Sequence, residues 1–286
     1  MQIITSLKQM QAICKDYNKQ GKTIGFVPTM GYLHEGHLTL MKQARVENDV
    51  VVTSIFVNPL QFGPGEDFDR YPRDVKQDEQ KASEMGVDYF FYPHADDMYP
   101  GSTTTQLKVI ERNNVLCGKK RVGHFDGVVT VLLKLFNLVC PDRVYMGTKD
   151  AQQVAVAQGL VDDYNMAIEI IPVPTVREID GLAKSSRNVY LTSEERKEAP
   201  ELYKSLQAAE KLIDSGEKNP NQIISHIHQK LEKLHAEIDY IELYTYPTLQ
   251  PIEKIQGRIV IAIAVKFSQA RLIDNIILGD NTIINA

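Results

Sequence analysis

Chemistry in this sequence is concentrated in a few short segments, and the first reads Pro28-Thr29-Met30-Gly31-Tyr32-Leu33-His34-Glu35-Gly36-His37. His34 and His37, three residues apart, share one face of a helical first turn, where unpaired backbone N–H groups and the positive end of the helix dipole favour an anion. Neutral imidazoles donate there as well, and Gly36 lets the backbone approach closely. Such an H-x-G-H turn suits the phosphates of a nucleoside triphosphate. A pair of solvated loop histidines is the alternative. Two near-matches fail: a zinc protease needs H-E-x-x-H, with the histidines four apart, and Gly21-Lys22-Thr23 has Asp16 where a P-loop needs its first glycine.

Asn58 and Gln61 follow a second apolar run, and each offers both a donor and an acceptor, which suits a small ligand bearing hydroxyl and carboxylate groups. The Gly- and Pro-rich stretch after them, to Arg73, reads as a movable flap. Its Glu66, Asp67 and Asp69 are either Mg²⁺ ligands or a solvated acidic loop. A third segment, Met146-Gly147-Thr148-Lys149-Asp150-Ala151-Gln152-Gln153, supplies a point charge for phosphate in Lys149, a cap or ribose ligand in Asp150, and an amide one turn into a helix in Gln153. In the fourth, Lys184 and Arg187 bracket Ser185 and Ser186 on a loop begun by Gly181, forming either a phosphate clamp or a basic surface turn. Gly123-His124-Phe125-Asp126-Gly127 opens an apolar helix, with Asp126 as its expected N-cap.

These residues need a scaffold, and the surrounding pattern describes one. Thr23–Val27 and Val50–Val57 are apolar runs without alternation, as expected of strands covered on both faces. Leu38, Met41 and Ala44 lie between them at helical spacing, so the unit is a βαβ crossover and the sheet is parallel. Ligands in such sheets bind beyond the carboxyl ends of the strands, where the Pro28 and Asn58 loops begin. The alternation continues with helices over Val75–Met85, Val128–Val139 and Ala151–Asp163 and strands over Asp88–Tyr92, Arg143–Met146 and Ile168–Val173. Thr192 and Glu195 then match a capping box, Pro200 and Pro220 stand at helical first turns, and three strands follow: Ile238–Thr245, Arg258–Val265 and Arg271–Leu278. The expected architecture is α/β, a parallel-sheet domain over 1–175 followed by a smaller α+β domain over 176–286.

Composition restricts the partners. The 286 residues include 32 Lys plus Arg against 37 Asp plus Glu, a formal charge of −5, so the molecule as a whole does not attract nucleic acid or acidic membranes. Any anion must be held locally. The three cysteines are scattered, with no CxxC pair, which fits a reducing cytoplasm. No segment approaches the roughly 18 unbroken apolar residues of a membrane helix.

Taken together, PTMGYLHEGH, SIFVNPLQFGPGEDFDRYPRD, GHFDGVVTVLLKLFN, GTKDAQQ and DGLAKSSRN, in this order and spacing, resemble the pantoate–β-alanine ligase (pantothenate synthetase) family of the H-x-G-H nucleotidyltransferase superfamily. The resemblance implies a Rossmann-like N-terminal domain, a smaller C-terminal lid, and a Mg²⁺-dependent cytoplasmic homodimer acting on ATP, pantoate and β-alanine. It implies that Met30, Gly31, Tyr32, Leu33, His34, Glu35, Gly36 and His37 line the ATP site, with His37 as proton donor and His34 as a companion phosphate ligand. It also implies that Gly147, Thr148, Lys149, Asp150, Val176, Lys184, Ser185, Ser186 and Arg187 contact ATP. Gln61 is implied to contact pantoate and β-alanine, and Gln153 to contact pantoate. Lys184, Thr148 and Ala151 depart from the family's common residues, which are Met or Leu, Glu, and an aromatic. The catalytic set expected here is His34, His37, Lys149 and Arg187, with Asn58 added to the substrate contacts. The rival readings are a nucleotidylyltransferase of the same superfamily and a nucleotide-binding module without turnover.

Overall fold

The computed structural model of the chain describes residues 1–279. In chain order the elements are β1 (Gln2–Ile4), α1 (Leu7–Lys19), β2 (Ile24–Thr29), α2 (Glu35–Glu47), β3 (Val50–Ile55), α3 (Val75–Glu84), β4 (Tyr89–Phe91), α4 (Ala95–Met98), α5 (Leu116–Lys120) and α6 (His124–Val139). They continue with β5 (Arg143–Gly147), α7 (Ala151–Asp163), β6 (Glu169–Val173), α8 (Ser193–Glu198), α9 (Glu201–Asp214), α10 (Pro220–Leu231), β7 (Glu237–Thr245), β8 (Ile259–Lys266) and β9 (Arg271–Leu278). By contact density the chain forms two compact units, one of Met1–Thr148 with Val156–Pro174, the other of Lys149–Ala155 with Thr175 onward.

The first unit is a six-stranded parallel sheet in the order β1-β4-β3-β2-β5-β6, a Rossmann-like architecture. Every residue of β3 is buried, as a strand covered on both faces requires. Its core packs Leu40, Met41 and Ala44 of α2 on Val27, Val51, Ile55 and Phe90 of the sheet. The chain leaves β2 toward β3 on one side, while β5 lies on the other, so the loop after β2 sits at the topological switch point. The apolar helix starts earlier than its hydrophobic run. Gly123, at φ 80°, is the N-cap of α6, and Asp126 is not the cap expected of it: its Oδ1 accepts from the Val109 N–H at 2.8 Å and so ties down the preceding loop.

The second unit packs α8, α9 and α10 with the antiparallel sheet β7-β8-β9. Leu202, Leu206, Ile223 and Ile227 bury against Ile261 and Ile263. The Thr192–Glu195 capping box opens α8, and Pro220 stands in the first turn of α10. Pro200 is the residue before α9 rather than within its first turn. The division of the chain differs from a single boundary near 175 because Lys149–Ala155 groups with the second unit. Hydrogen bonds account for that grouping. Asn275 of β9 donates Nδ2–H to the Lys149 carbonyl at 2.8 Å, and the Tyr246 hydroxyl donates to the Ala151 carbonyl at 3.4 Å.

Candidate active site

In the first unit the H-x-G-H turn is built from buried anchors outward. Asp78 of α3, 1% exposed, accepts from the Tyr32 and Leu33 N–H groups at 2.8 and 2.7 Å and so fixes the loop between β2 and α2. Burial holds its carboxyl above the usual value, outweighing those amide bonds and the Lys81 charge. Gly31, at φ 88°, is required there: a Cβ would stand 2.9 Å from Ile55 Cγ2 and 3.0 Å from Asp78 Oδ2.

His34 is the N-cap of α2, and its Nδ1 accepts from the Gly36 N–H at 3.1 Å. His37, three residues on, accepts the His34 N–H on its own Nδ1 at 3.3 Å. The rings face each other with centroids 4.0 Å apart. A ring nitrogen that accepts carries no proton, so this geometry leaves Nε2 of each ring as its donor. The helix start thus carries two Nε2–H donors of fixed tautomer. Gly36 makes this possible, because a Cβ there would stand 2.9 Å from His34 Cε1.

Gln61 ends a 3-10 turn over Pro59–Gln61 and is 7% exposed. Its Oε1 accepts from Asn58 Nδ2 at 3.2 Å and its Nε2 donates to Met30 Sδ at 3.0 Å, a weak acceptor, which leaves the amide capacity for a ligand. Asn58, expected among the substrate contacts, is 1% exposed and bonded on both sides of its amide. Its Nδ2 also donates to the Gly127 carbonyl at 3.0 Å, while its Oδ1 accepts from Leu60 N–H at 3.3 Å and Tyr99 hydroxyl at 2.8 Å. Two donors and two acceptor sites are in use in this arrangement, and one of these bonds positions Gln61. Burial pushes the Tyr99 phenol far above its ordinary pKa, keeping it the donor in that bond.

Three residues outside the expected set complete this turn. His124, 8% exposed, donates Nδ1–H to the Gln61 carbonyl at 2.8 Å and accepts from Arg121 Nη1 at 3.0 Å. Gly127 brings α6 against the turn so closely that a Cβ would lie 2.3 Å from the Leu60 carbonyl oxygen. Arg121 holds Glu66 through Nε at 2.7 Å and Nη2 at 2.5 Å. Glu66 is therefore paired rather than solvated; burial pushes its carboxyl up, but the Arg121 hydrogen bond and charge prevail and hold it below the usual range. His124 and Gly127 stood in a segment already legible as a helix start, whereas Asp78 and Arg121 have no local signal.

The second unit assembles the other polar segments. Lys149 lies 3.8 Å from Asp150 and its carbonyl is held by Asn275. Residues 176–184 form a tight hairpin, with Lys184 N–H donating to the Val176 carbonyl at 2.9 Å. Arg177 forks onto Asp274 of β9 at 2.6 and 2.9 Å and stacks 3.5 Å from the Tyr203 ring centroid. Arg196 pairs with Glu178 and Asp180 at 2.7 and 2.6 Å. Ser185 caps the turn Ser186–Tyr190 by accepting the Arg187 N–H at 3.2 Å. The segment expected to be a phosphate clamp or a basic surface turn is thus held by ion pairs and a capped turn.

A parallel α/β sheet with a helix start suited to an anion at its switch point, bearing a histidine pair, defines a nucleotide-dependent enzyme of Rossmann-like fold. A family model described as pantoate-beta-alanine ligase matches residues 2–277. Pantothenate synthetases of Bacillus cytotoxicus and a Geobacillus species are 58% and 59% identical over 279 residues, covering 97% of this chain and 99% of each relative. The solved pantothenate synthetase of Thermus thermophilus superposes with a TM-score of 0.91 at 42% identity, covering 96% of this chain and 99% of that one. The Francisella tularensis pantoate-beta-alanine ligase, solved in complex with beta-gamma ATP and beta-alanine, gives 0.78 at 38% identity over 96% and 97%. The chain belongs to the pantoate–β-alanine ligase family.

Proposed function

We propose that the family's reaction proceeds in this chain through a pantoyl adenylate, with ATP and (R)-pantoate giving the adenylate and pyrophosphate, and β-alanine then giving pantothenate and AMP. The ligase activity follows from family membership over almost the whole chain. The two histidines of fixed tautomer at the α2 N-terminus support the chemistry proposed for the first step.

A carboxylate is an unreactive acyl donor, so its oxygen first attacks the α-phosphorus while the bond to pyrophosphate breaks with its electron pair. Charge grows on phosphate oxygens, where the His34 and His37 Nε2–H groups and the helix start stabilise it. Lys149, Lys184 and Arg187, with the Ser185 and Ser186 hydroxyls, are assigned to the ATP phosphates. Gly147, Thr148, Asp150 and Val176 are assigned to the remainder of the nucleotide. Gln61 is assigned to pantoate and β-alanine, and Gln153 to pantoate. The β-alanine amine attacks the acyl carbon, AMP leaves, and no protein nucleophile takes part. Exclusion of water protects the mixed anhydride.

Mg²⁺, bound with ATP, would supply charge neutralisation for the phosphates beside Lys149, Lys184 and Arg187. Among the described residues no group of three His, Cys, Asp or Glu is placed to hold a metal. An ion that takes most of its ligands from phosphate and water fits that arrangement. The cytoplasmic homodimer belongs to the same proposal, and no described helix is long and apolar enough to cross a membrane.

Pantoate-dependent exchange of labelled pyrophosphate into ATP without β-alanine tests the adenylate directly. We expect exchange in the wild type and a loss of about a hundredfold or more in His37→Ala, the scale of a missing preorganised donor. No exchange by folded wild-type protein would overturn the adenylate, and near-normal exchange by His37→Ala would make His37 structural.

A further inference from the structure

We propose that Arg121 is the receptor for the carboxylate of the amino-acid substrate, and that Glu66 occupies this receptor when the substrate is absent. The proposal rests on the ligase reading, which requires an amino acid to present its amine while its carboxylate is held elsewhere.

The guanidinium of Arg121 already displays the recognition. It meets the Glu66 carboxylate as a fork, Nε to Oε1 at 2.7 Å and Nη2 to Oε2 at 2.5 Å, the geometry in which arginine binds a carboxylate selectively. Both side chains are largely sheltered, at 21% and 25% exposure, so water screens the pair less than a surface bridge. The other donor contacts fasten the cation to the turn that carries Gln61. Nη1 reaches His124 Nε2 at 3.0 Å, Nη2 reaches the Gln61 carbonyl at 3.4 Å, and His124 holds that same carbonyl at 2.8 Å. A carboxylate on Arg121 is thereby placed relative to Gln61 through two intervening bonds.

The occupant is replaceable. Glu66 directly follows the Gly63-Pro64-Gly65 stretch, only five residues beyond Gln61, and a carboxylate tethered by a short flexible segment competes at an effective concentration of about millimolar. A free amino acid at comparable concentration displaces it and inherits the same two charge-assisted hydrogen bonds. Fixing the carboxylate also orients the amine, which a chain of two methylenes leaves otherwise undirected.

The test uses Arg121→Gln, Arg121→Lys and Glu66→Gln, each assayed for pantoate-dependent pyrophosphate exchange and for amide formation with β-alanine or n-propylamine, an amine lacking the carboxylate. For Arg121→Gln we expect a KM for β-alanine raised at least about tenfold and a preference for β-alanine over propylamine reduced by a similar factor, both larger than any loss of exchange that follows from loosening the Gln61 turn. Arg121→Lys, which keeps the charge but loses the fork, is expected to lie between, and serves where Arg121→Gln does not fold. Glu66→Gln removes the competitor and lowers the KM for β-alanine. A parallel loss of exchange and amide formation in Arg121→Gln would make the residue a structural latch and overturn the proposal, as would an unchanged preference for β-alanine. Absent exchange in the wild type would instead overturn the adenylate reading.

Discussion

Gly127 decides where Gln61 sits, although it touches no reacting group. Its missing side chain lets the first turn of α6 lie against the Leu60 carbonyl, and a methyl group would meet that oxygen at 2.3 Å. Gly127→Ala must therefore push the Pro59–Gln61 turn outward. A displacement of about 1 Å in a positioning group costs on the order of a hundredfold in rate, and overpacking costs about 1–3 kcal/mol in stability. We expect Gly127→Ala to fold with a reduced unfolding midpoint and to lose adenylation rate; wild-type kinetics would show that the turn absorbs the methyl group. Asn58 shows how residue type can be legible while role is not. Its position after β3 was readable, but only the count of its four hydrogen bonds separates a ligand contact from a support.

Among the elements, β9 does more than close the small sheet. Its consecutive residues Asp274 and Asn275, 3% and 7% exposed, grip the two segments assigned to ATP: Asp274 holds Arg177, and Asn275 holds the Lys149 carbonyl. Lys149 and the 184–187 turn are thus braced from one strand within one compact unit. Asn275→Ala removes the side-chain hydrogen bond that holds the Lys149 carbonyl, at about 0.5–1.5 kcal/mol. The expected kinetic result is a several-fold higher KM for ATP in the exchange assay, with the KM for β-alanine unaltered. Equal change in both constants would mark general destabilisation. The sequence reads β9 correctly as a strand, yet alternation says nothing of which distant backbone groups its side chains reach.

At the scale of the whole molecule, stability in acid is set by carboxylates that folding makes stronger acids. Amide hydrogen bonds from Thr192 and Ser268 lower Glu195 to about 2, the Arg196 hydrogen bond lowers Asp180, and the His235 hydrogen bond lowers Glu198. Each binds a proton more weakly folded than unfolded, so its contribution is complete above the unfolded value of about 4.3 and is lost as pH falls through the folded one. Asp78, raised by burial, acts in the opposite sense. The depressed groups outnumber it, so the urea midpoint should fall from pH 6 to pH 3. Glu195→Gln should lower stability at pH 7 and flatten that slope. An unchanged slope would show that Glu195 titrates alike in both states.

The sequence alone determined the parallel α/β domain, the helix-rich unit ending in three strands, and the H-x-G-H turn, because apolar periodicity, caps and turn residues act within a few positions along the chain. Tertiary structure alone decided which groups surround Asn58 and that Glu66 faces Arg121, and it left the His34 and His37 Nδ1 atoms accepting local N–H groups. It also decided that Lys149–Ala155 groups with the second unit. Apart from the histidine pair, each of these outcomes depends on at least one hydrogen bond between residues 41 to 126 positions apart. Tautomer, saturation and partner choice are properties of the surroundings in space, which residue type and local spacing do not encode.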